Sequence, residues 1–232
     1  MIVRILASVG TYRSILCLDG NLRNLEGIVG KLGLPLIAAD GAANQVIALG
    51  LNPDLIIGDL DSVNSDLLIR FNYLELADQD TSDFQKALVY LSENALLPSI
   101  ILGISGGNID HIINNTNIFL SYDDNIFIDG DIIGMKITGK RIFRQIPINT
   151  KLSIFGIPEC NVTTSGLKWE LKSADLAFAT YPHMSNIFGY NSCFNRTVSE
   201  NFTIEVTAGT ALLLIYSSDV VDAGSGLDYA KK

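Results

Sequence analysis

Five times before residue 110, a short and nearly continuous apolar run ends in a turn rich in Asp or Gly. Ser14–Leu18 ends in Asp19-Gly20, and Leu34–Ala39 in Asp40-Gly41. Asp54–Ile57 ends in Gly58-Asp59, Tyr73–Ala77 in Asp78, and Ser99–Ile104 in Ser105-Gly106-Gly107. Such runs suit strands buried on both faces, as in parallel sheets covered by helices. Helical stripes lie between them. Phe84, Ala87, Leu88, Leu91 and Ala95 share one helix face, preceded by Thr81, Ser82 and Asp83 as N-cap candidates. Ile109, Ile112, Ile113, Thr116 and Leu120 repeat the spacing and predict a second buried stripe. Strand–helix alternation predicts right-handed βαβ units and a mostly parallel, Rossmann-like α/β domain.

After about residue 132 the rhythm changes. Ile132–Thr138, Arg141–Ile146, Leu152–Phe155, Val162–Thr164, Leu167–Leu171, Thr197–Val206 and Ala211–Tyr216 are short and punctuated by Gly, Pro and Asn. They predict a small antiparallel β-sandwich. The chain of 232 residues therefore divides into an α/β domain over 1–133 and a β domain over 134–232, with 220–232 as a loosely held tail.

Composition removes several functions. A net charge of −9 argues against a nucleic-acid partner, whose phosphates demand Lys and Arg. No apolar run nears the roughly 20 residues of a membrane helix, so no membrane partner is expected. Cys17, Cys160 and Cys193 have no CxxC spacing, and the N-terminus lacks a signal-peptide pattern. Both fit a cytoplasmic location. The sequons at Asn114, Asn161, Asn195 and Asn201 then read as chance.

Of the 25 acidic residues 18 are Asp, and many follow the strand candidates, where ligands bind in open α/β sheets. In Gly58-Asp59-Leu60-Asp61-Ser62, an extended backbone would project Asp59 and Asp61 to the same side. Paired carboxylates repel unless a cation joins them, and Mg²⁺ favours a few carboxylates with phosphate oxygens and water. Asp78-Gln79-Asp80 repeats the pattern after the next strand. Asp40-Gly41-Ala42-Ala43-Asn44 is a small-residue turn into a helix, and Gly106-Gly107-Asn108-Ile109-Asp110-His111 is a glycine-rich one. Both suit phosphate approach, although neither matches GxGxxG or a P-loop. Trp169 is the only tryptophan and reads first as a core or interface anchor. Tyr181-Pro182-His183-Met184-Ser185-Asn186 reads as a polar loop.

In this order the motifs resemble thiamine pyrophosphokinases. The landmarks are Ala39–Asn44, Gly58–Ser62, Asp78–Phe84, Gly106-Gly107 with Asp110-His111, Thr164–Trp169 and Ser185-Asn186, spread over residues 14–216. The resemblance implies transfer of pyrophosphate from Mg-ATP to the hydroxyethyl group of thiamine, giving thiamine diphosphate and AMP. It implies Asp40, Asp59, Asp61 and Asp80 as catalytic, with Mg²⁺ on Asp59, Asp61 and Asp80. ATP and its phosphates would meet Asn44, Gln79, Ser82, Asp83, Lys86, Gly106, Gly107, Asp110, His111 and Asn114. Thiamine would meet Trp169, Ser185 and Asn186. A homodimer is implied, with active sites between the α/β domain of one subunit and the sandwich of the other.

The sequence departs from the family pattern at three places. Asn108 stands where Arg commonly follows the paired glycines, which makes Lys86 the candidate substitute cation. Ser82 stands for a usual Thr, and Ala42 for a usual Gly. A pyrophosphokinase for a pterin alcohol, a non-catalytic binding homologue and a metal-dependent nucleotide-sugar transferase are the competing readings. The Ser165–Trp169 segment and the compact β half disfavour the last.

Overall fold

The computed structural model describes residues 2–178 and 194–217. The chain forms two compact units, Gly10–Lys136 and a second made of Met1–Val9 with Ile137–Lys232. The chain thus divides at 9/10 and at 136/137, where the sequence reading set a single boundary at 133/134. Helix α1 (Ile2–Val9), which carried no assignment from sequence, belongs to the second unit. Its Ile5 and Leu6 are buried.

The α/β unit is built on β1 (Ser14–Cys17), β2 (Leu36–Ala39), β3 (Leu55–Gly58), β4 (Tyr73–Glu75), β5 (Ser99–Leu102), β6 (Ile126–Asp129) and β7 (Ile132–Ile137). Their order is β7-β6-β5-β1-β2-β3-β4. The first six pair in parallel, and β7 returns antiparallel to β6. Every residue of β1, β2 and β5 is buried, as continuous apolar runs require. The chain moves outward from β1 to β4, then crosses back to β5 on the other side of β1. That reversal makes the carboxyl ends of β1, β2 and β5 the expected ligand crevice.

Helices α2 (Leu25–Leu32), α3 (Ala42–Ala48), α4 (Ser65–Arg70), α5 (Asp83–Glu93) and α6 (Ile109–Leu120) connect the strands. Four residues of the α5 stripe, Phe84, Ala87, Leu88 and Leu91, are buried, whereas Ala95 is exposed and lies past the helix end at φ 55. The start of α5 is fixed by a capping box in which the Ser82 hydroxyl accepts from Gln85 N–H at 3.3 Å and Gln85 Oε1 accepts from Ser82 N–H at 3.1 Å. The α6 stripe is not as expected. Ile109 is 71% exposed and Ile113 64%, while the buried residues are Ile118 and Phe119. Phe119 packs edge to face on Phe127 of β6 at 5.1 Å between ring centroids. The last turn of α6, not the stripe, is therefore what anchors it.

The second unit carries β8 (Lys140–Phe143), β9 (Lys151–Ser165), β10 (Ala174–Ala177), β11 (Phe194–Arg196) and β12 (Phe202–Tyr216). All pairings among them are antiparallel, with the order β10-β9-β12, β11 on β9 and β8 on β12. Strands read as separate runs are continuous. Gly156 and Pro158 interrupt the sequence pattern of β9 without ending it, because β12 shifts register between Val206 and Ala208 and between Gly209 and Ala211. Leu167–Leu171 is a loop with one isolated bridge, Leu167 to Thr197. Phe143 and Phe202 stack at 4.4 Å in the core of this unit.

Candidate active site

Three carboxylates converge at the strand ends of the α/β unit. One oxygen from each of Asp40, Asp59 and Asp83 lies within 4.8 Å of the other two. Asp40 leaves β2 at φ 43, a left-handed conformation that turns the chain into α3. Asp59 directly follows β3, and Asp83 opens α5. Gly58 makes the approach possible, since a Cβ there would stand 2.9 Å from Asp40 Cβ and 3.0 Å from Asp83 Oδ1. Asp40 is buried, and its Oδ1 has no hydrogen-bond partner among the described residues. Burial pushes its carboxyl above the ordinary range; the Gly41 N–H opposes this, Asp83 adds to it, Ser62 opposes it and Asp59 adds to it.

This group differs from the expected metal set of Asp59, Asp61 and Asp80. Only Asp59 is common to both. The reason is local. Leu60 sits at φ 66, so the backbone between Asp59 and Asp61 is not extended and the two side chains do not project together. Instead, Asp61 N–H turns back towards Asp59 Oδ1 at 3.4 Å, and Asp61 Oδ1 accepts from the Ser62 hydroxyl at 2.8 Å. The second Asp-x-Asp does the same, with Asp80 N–H donating to Asp78 Oδ1 at 3.1 Å. Both are Asx turns, in which the first carboxylate holds the backbone two residues on. The Thr81 hydroxyl, 2.7 Å from Asp78 Oδ2, helps hold the Asp78 carboxyl below its usual range.

The remaining α/β candidates divide into those aimed at the carboxylates and those that brace loops. Lys86 is buried, with Nζ 3.1 Å from Asp83 Oδ1. Gln79 Nε2 donates to Asp59 Oδ2 at 2.8 Å and is the main cause of a lowered Asp59 pKa. Asn44 donates to Ser62 O at 2.8 Å and accepts from Asn64 N–H at 3.0 Å, so its amide clamps the loop carrying Asp59 and Asp61. Ser82 is occupied as the cap of α5.

The glycine-rich turn is packed backbone to backbone against the loop after β1. Gly103, at φ 81, lies against Leu18 O, and Gly106, at φ 105, would bring a Cβ to 2.8 Å from Asn21 N. Asn21 N–H donates to Ser105 O at 2.7 Å. Gly107, Asp110, His111 and Asn114 are exposed at the start of α6. Sequence reading missed the organiser here. Asp129, at the end of β6, accepts from Asn21 Nδ2 at 2.9 Å and from the Ser105 hydroxyl at 2.6 Å, tying the loops after β1, β5 and β6. Its signal was available: it is one more Asp-Gly at the end of an apolar run.

In the β unit, Trp169 is 38% exposed in the loop after β9 and is not a core residue. The Lys168 ammonium lies 4.8 Å from its ring centroid. Glu170 Oε1 accepts from Gly166 N–H at 2.7 Å and Leu167 N–H at 3.1 Å, closing the loop on itself. Ser185 and Asn186 lie outside the described residues. Cys17 and Cys160 are free and buried, and burial, with Asp175 adding, pushes the Cys160 thiol up to about 11. Neither is poised for chemistry.

Comparison with known proteins matches both halves. Residues 35–128 match the model of the thiamin pyrophosphokinase catalytic domain, and residues 141–209 that of its vitamin B1 binding domain. Thiamine pyrophosphokinase 2 of Arabidopsis thaliana is 29% identical over 213 residues, covering 77% of this chain and 80% of its own. Thiamine pyrophosphokinase 3 of Oryza sativa is 27% identical, covering 65% and 70%. The fold is shared with thiamine pyrophosphokinase of Bacillus subtilis, at a TM-score of 0.72 and 17% identity over 88% of this chain and 99% of that one. The yeast thiamin pyrophosphokinase gives 0.70 and 18% over 92% and 89%. With both family domains matched in order along one chain, this protein belongs to the thiamine pyrophosphokinase family.

Proposed function

We propose that the chain transfers the terminal pyrophosphoryl group of ATP to thiamine with the help of a divalent cation held by Asp40, Asp59 and Asp83. The thiamine hydroxyl oxygen bonds to the β-phosphorus, the bond from that phosphorus to the α,β-bridging oxygen breaks, and AMP leaves with the electron pair. The hydroxyl proton passes to solvent water, giving thiamine diphosphate. One observation carries the cation: three carboxylates converge while the buried Oδ1 of Asp40 lacks a partner among the described residues. An all-oxygen donor set suits a hard cation, and Mg²⁺ beside a polyphosphate above all. Such an ion neutralises charge on the transferred group and on the leaving oxygen.

The chain's own residues supply the rest of the reading. Lys86 Nζ, hydrogen-bonded to Asp83, places positive charge beside the cluster in the role otherwise taken by Arg at position 108. Gln79 holds Asp59 ionised and oriented. Asp61 and Asp80, expected as metal ligands, are exposed on the two Asx turns and in this reading face the polyphosphate's water shell instead. The Gly106-Gly107 turn with Asp110, His111 and Asn114 takes the nucleotide end. Trp169 stacks on the thiamine pyrimidine, and Ser185 and Asn186 bond its edge. Exposure of the Trp169 ring supports that role over core anchoring. The enzyme works as a cytoplasmic homodimer whose sites lie between subunits, an assembly implied by the family resemblance.

AMP release measured with thiamine, ATP and Mg²⁺, each omitted in turn, tests this. Release that requires all three is expected. Binding of thiamine and ATP without turnover, or turnover with a pterin alcohol in place of thiamine, would overturn it.

A further inference from the structure

We propose that Asn195 is a positioning residue that holds Trp169 ready for the acceptor ring. This rests on the reading of Trp169 as the thiamine platform. Trp169 lies in a loop, outside any strand that could pair its peptide groups. The side-chain amide of Asn195 takes the place of the missing strand. Its Oδ1 accepts from Trp169 N–H at 3.1 Å, and its Nδ2 donates to Trp169 O at 2.6 Å. Oδ1 also accepts from Arg196 N–H at 2.9 Å, which fixes the fork's own orientation. Only an amide offers a donor and an acceptor in this geometry, and Asn has the reach that the longer Gln exceeds.

Burial makes the arrangement specific. Asn195 is 1% exposed, whereas the tryptophan it holds is 38% exposed. A buried polar side chain spent on the backbone of a surface aromatic does little for a core. It fixes where the indole stands before a ligand arrives, which lowers the ordering cost of binding. The same loop is tied to β11 again by Lys168 N–H to Arg196 O at 2.8 Å, and to the residues just after β11 by Val198 N–H to Gly166 O at 3.0 Å. Asn195 also follows Asn186 by nine positions, so one stretch of chain carries both the edge-bonding candidate and the clamp. The sequon at Asn195 has no bearing on glycosylation, since the amide nitrogen is buried and in use.

Steady-state kinetics and tryptophan emission of Asn195→Ala, beside Trp169→Ala, test the proposal in the full chain. Trp169 is the only tryptophan, so the emission reports on it alone. In Asn195→Ala the KM for thiamine should rise about tenfold or more, the scale of one or two lost hydrogen bonds. The KM for Mg-ATP and the kcat at saturating thiamine should stay near wild type, because the loss is one of uniform binding. The emission should shift to the red, and thiamine should quench it less at a given concentration. An unchanged thiamine KM with unchanged emission overturns the proposal while leaving the platform reading intact, provided Trp169→Ala loses thiamine. An unchanged thiamine KM in Trp169→Ala overturns the platform reading itself. Should Asn195→Ala not fold, hydrogen exchange of the wild-type protein decides. Protection of the Trp169 amide is expected, and exchange as fast as in an open loop overturns the clamp.

Discussion

Asp40 is buried with one oxygen unpartnered among the described residues, and its carboxyl sits above the ordinary range chiefly because burial penalises its charge. The folded state therefore favours the protonated form, and Asp40's contribution to stability is greatest below the ordinary carboxylate pKa and is lost as pH rises through the raised value. Asp40→Asn should raise the melting temperature at neutral pH, and the gain should vanish near pH 3, below the ordinary pKa of about 4. Turnover should fall about a hundredfold or more, the scale of losing one group that stabilises transition-state charge. A melting temperature that drops at neutral pH would contradict the assignment. Added Mg²⁺ should stabilise the wild type by mass action and Asp40→Asn much less, as scanning fluorimetry would show. At this scale the sequence made the acidic chemistry legible but not the membership of the cluster. Which carboxylates meet depends on the left-handed backbone at Leu60 and Asp40, and leucine does not announce a positive φ.

Among elements, α5 and α6 separate what periodicity can and cannot tell. Both carry the same apolar spacing, yet only the α5 stripe is buried, up to Leu91. A period fixes that residues share a face, and packing partners decide which face turns inward. Ile113→Ser should therefore change stability by no more than about 0.5 kcal/mol, as at other exposed positions. Phe119→Ala should cost about 3–5 kcal/mol. Urea denaturation of the two variants checks both numbers, and equal losses would restore the stripe as core. The cap of α5 is the link between element and site, because the turn it fixes presents Asp83 and Lys86. Ser82→Ala should cost about 1 kcal/mol and weaken Mg²⁺ dependence as well, read from the metal concentration at half-maximal rate. Strands β9 and β12 were legible only in pieces, since a bulge looks like a turn until the partner strand shows the pairing continuing past it.

For the whole molecule, the chain divides at two points, between Val9 and Gly10 and between Lys136 and Ile137, and the change of rhythm marks a place near the second alone. Assembly is a matter for solution measurement. Sedimentation should give a two-fold symmetric dimer at catalytic concentrations, and a fully active monomer would rule out a shared site. What no local pattern could reveal is that the second unit is discontinuous, with α1 joined to strands that begin only at Lys140. That has a consequence for how the chain is made. During translation α1 leaves the ribosome before the α/β unit, whose residues run without interruption from Gly10 to Lys136 and can fold while α1 still waits. The contacts of α1 with β8 cannot form until β8 has emerged, so a segment made before the α/β unit is secured only after it. A chaperone that recognises short apolar helices would meet α1 before the α/β unit is made, and would be released once β8 has been.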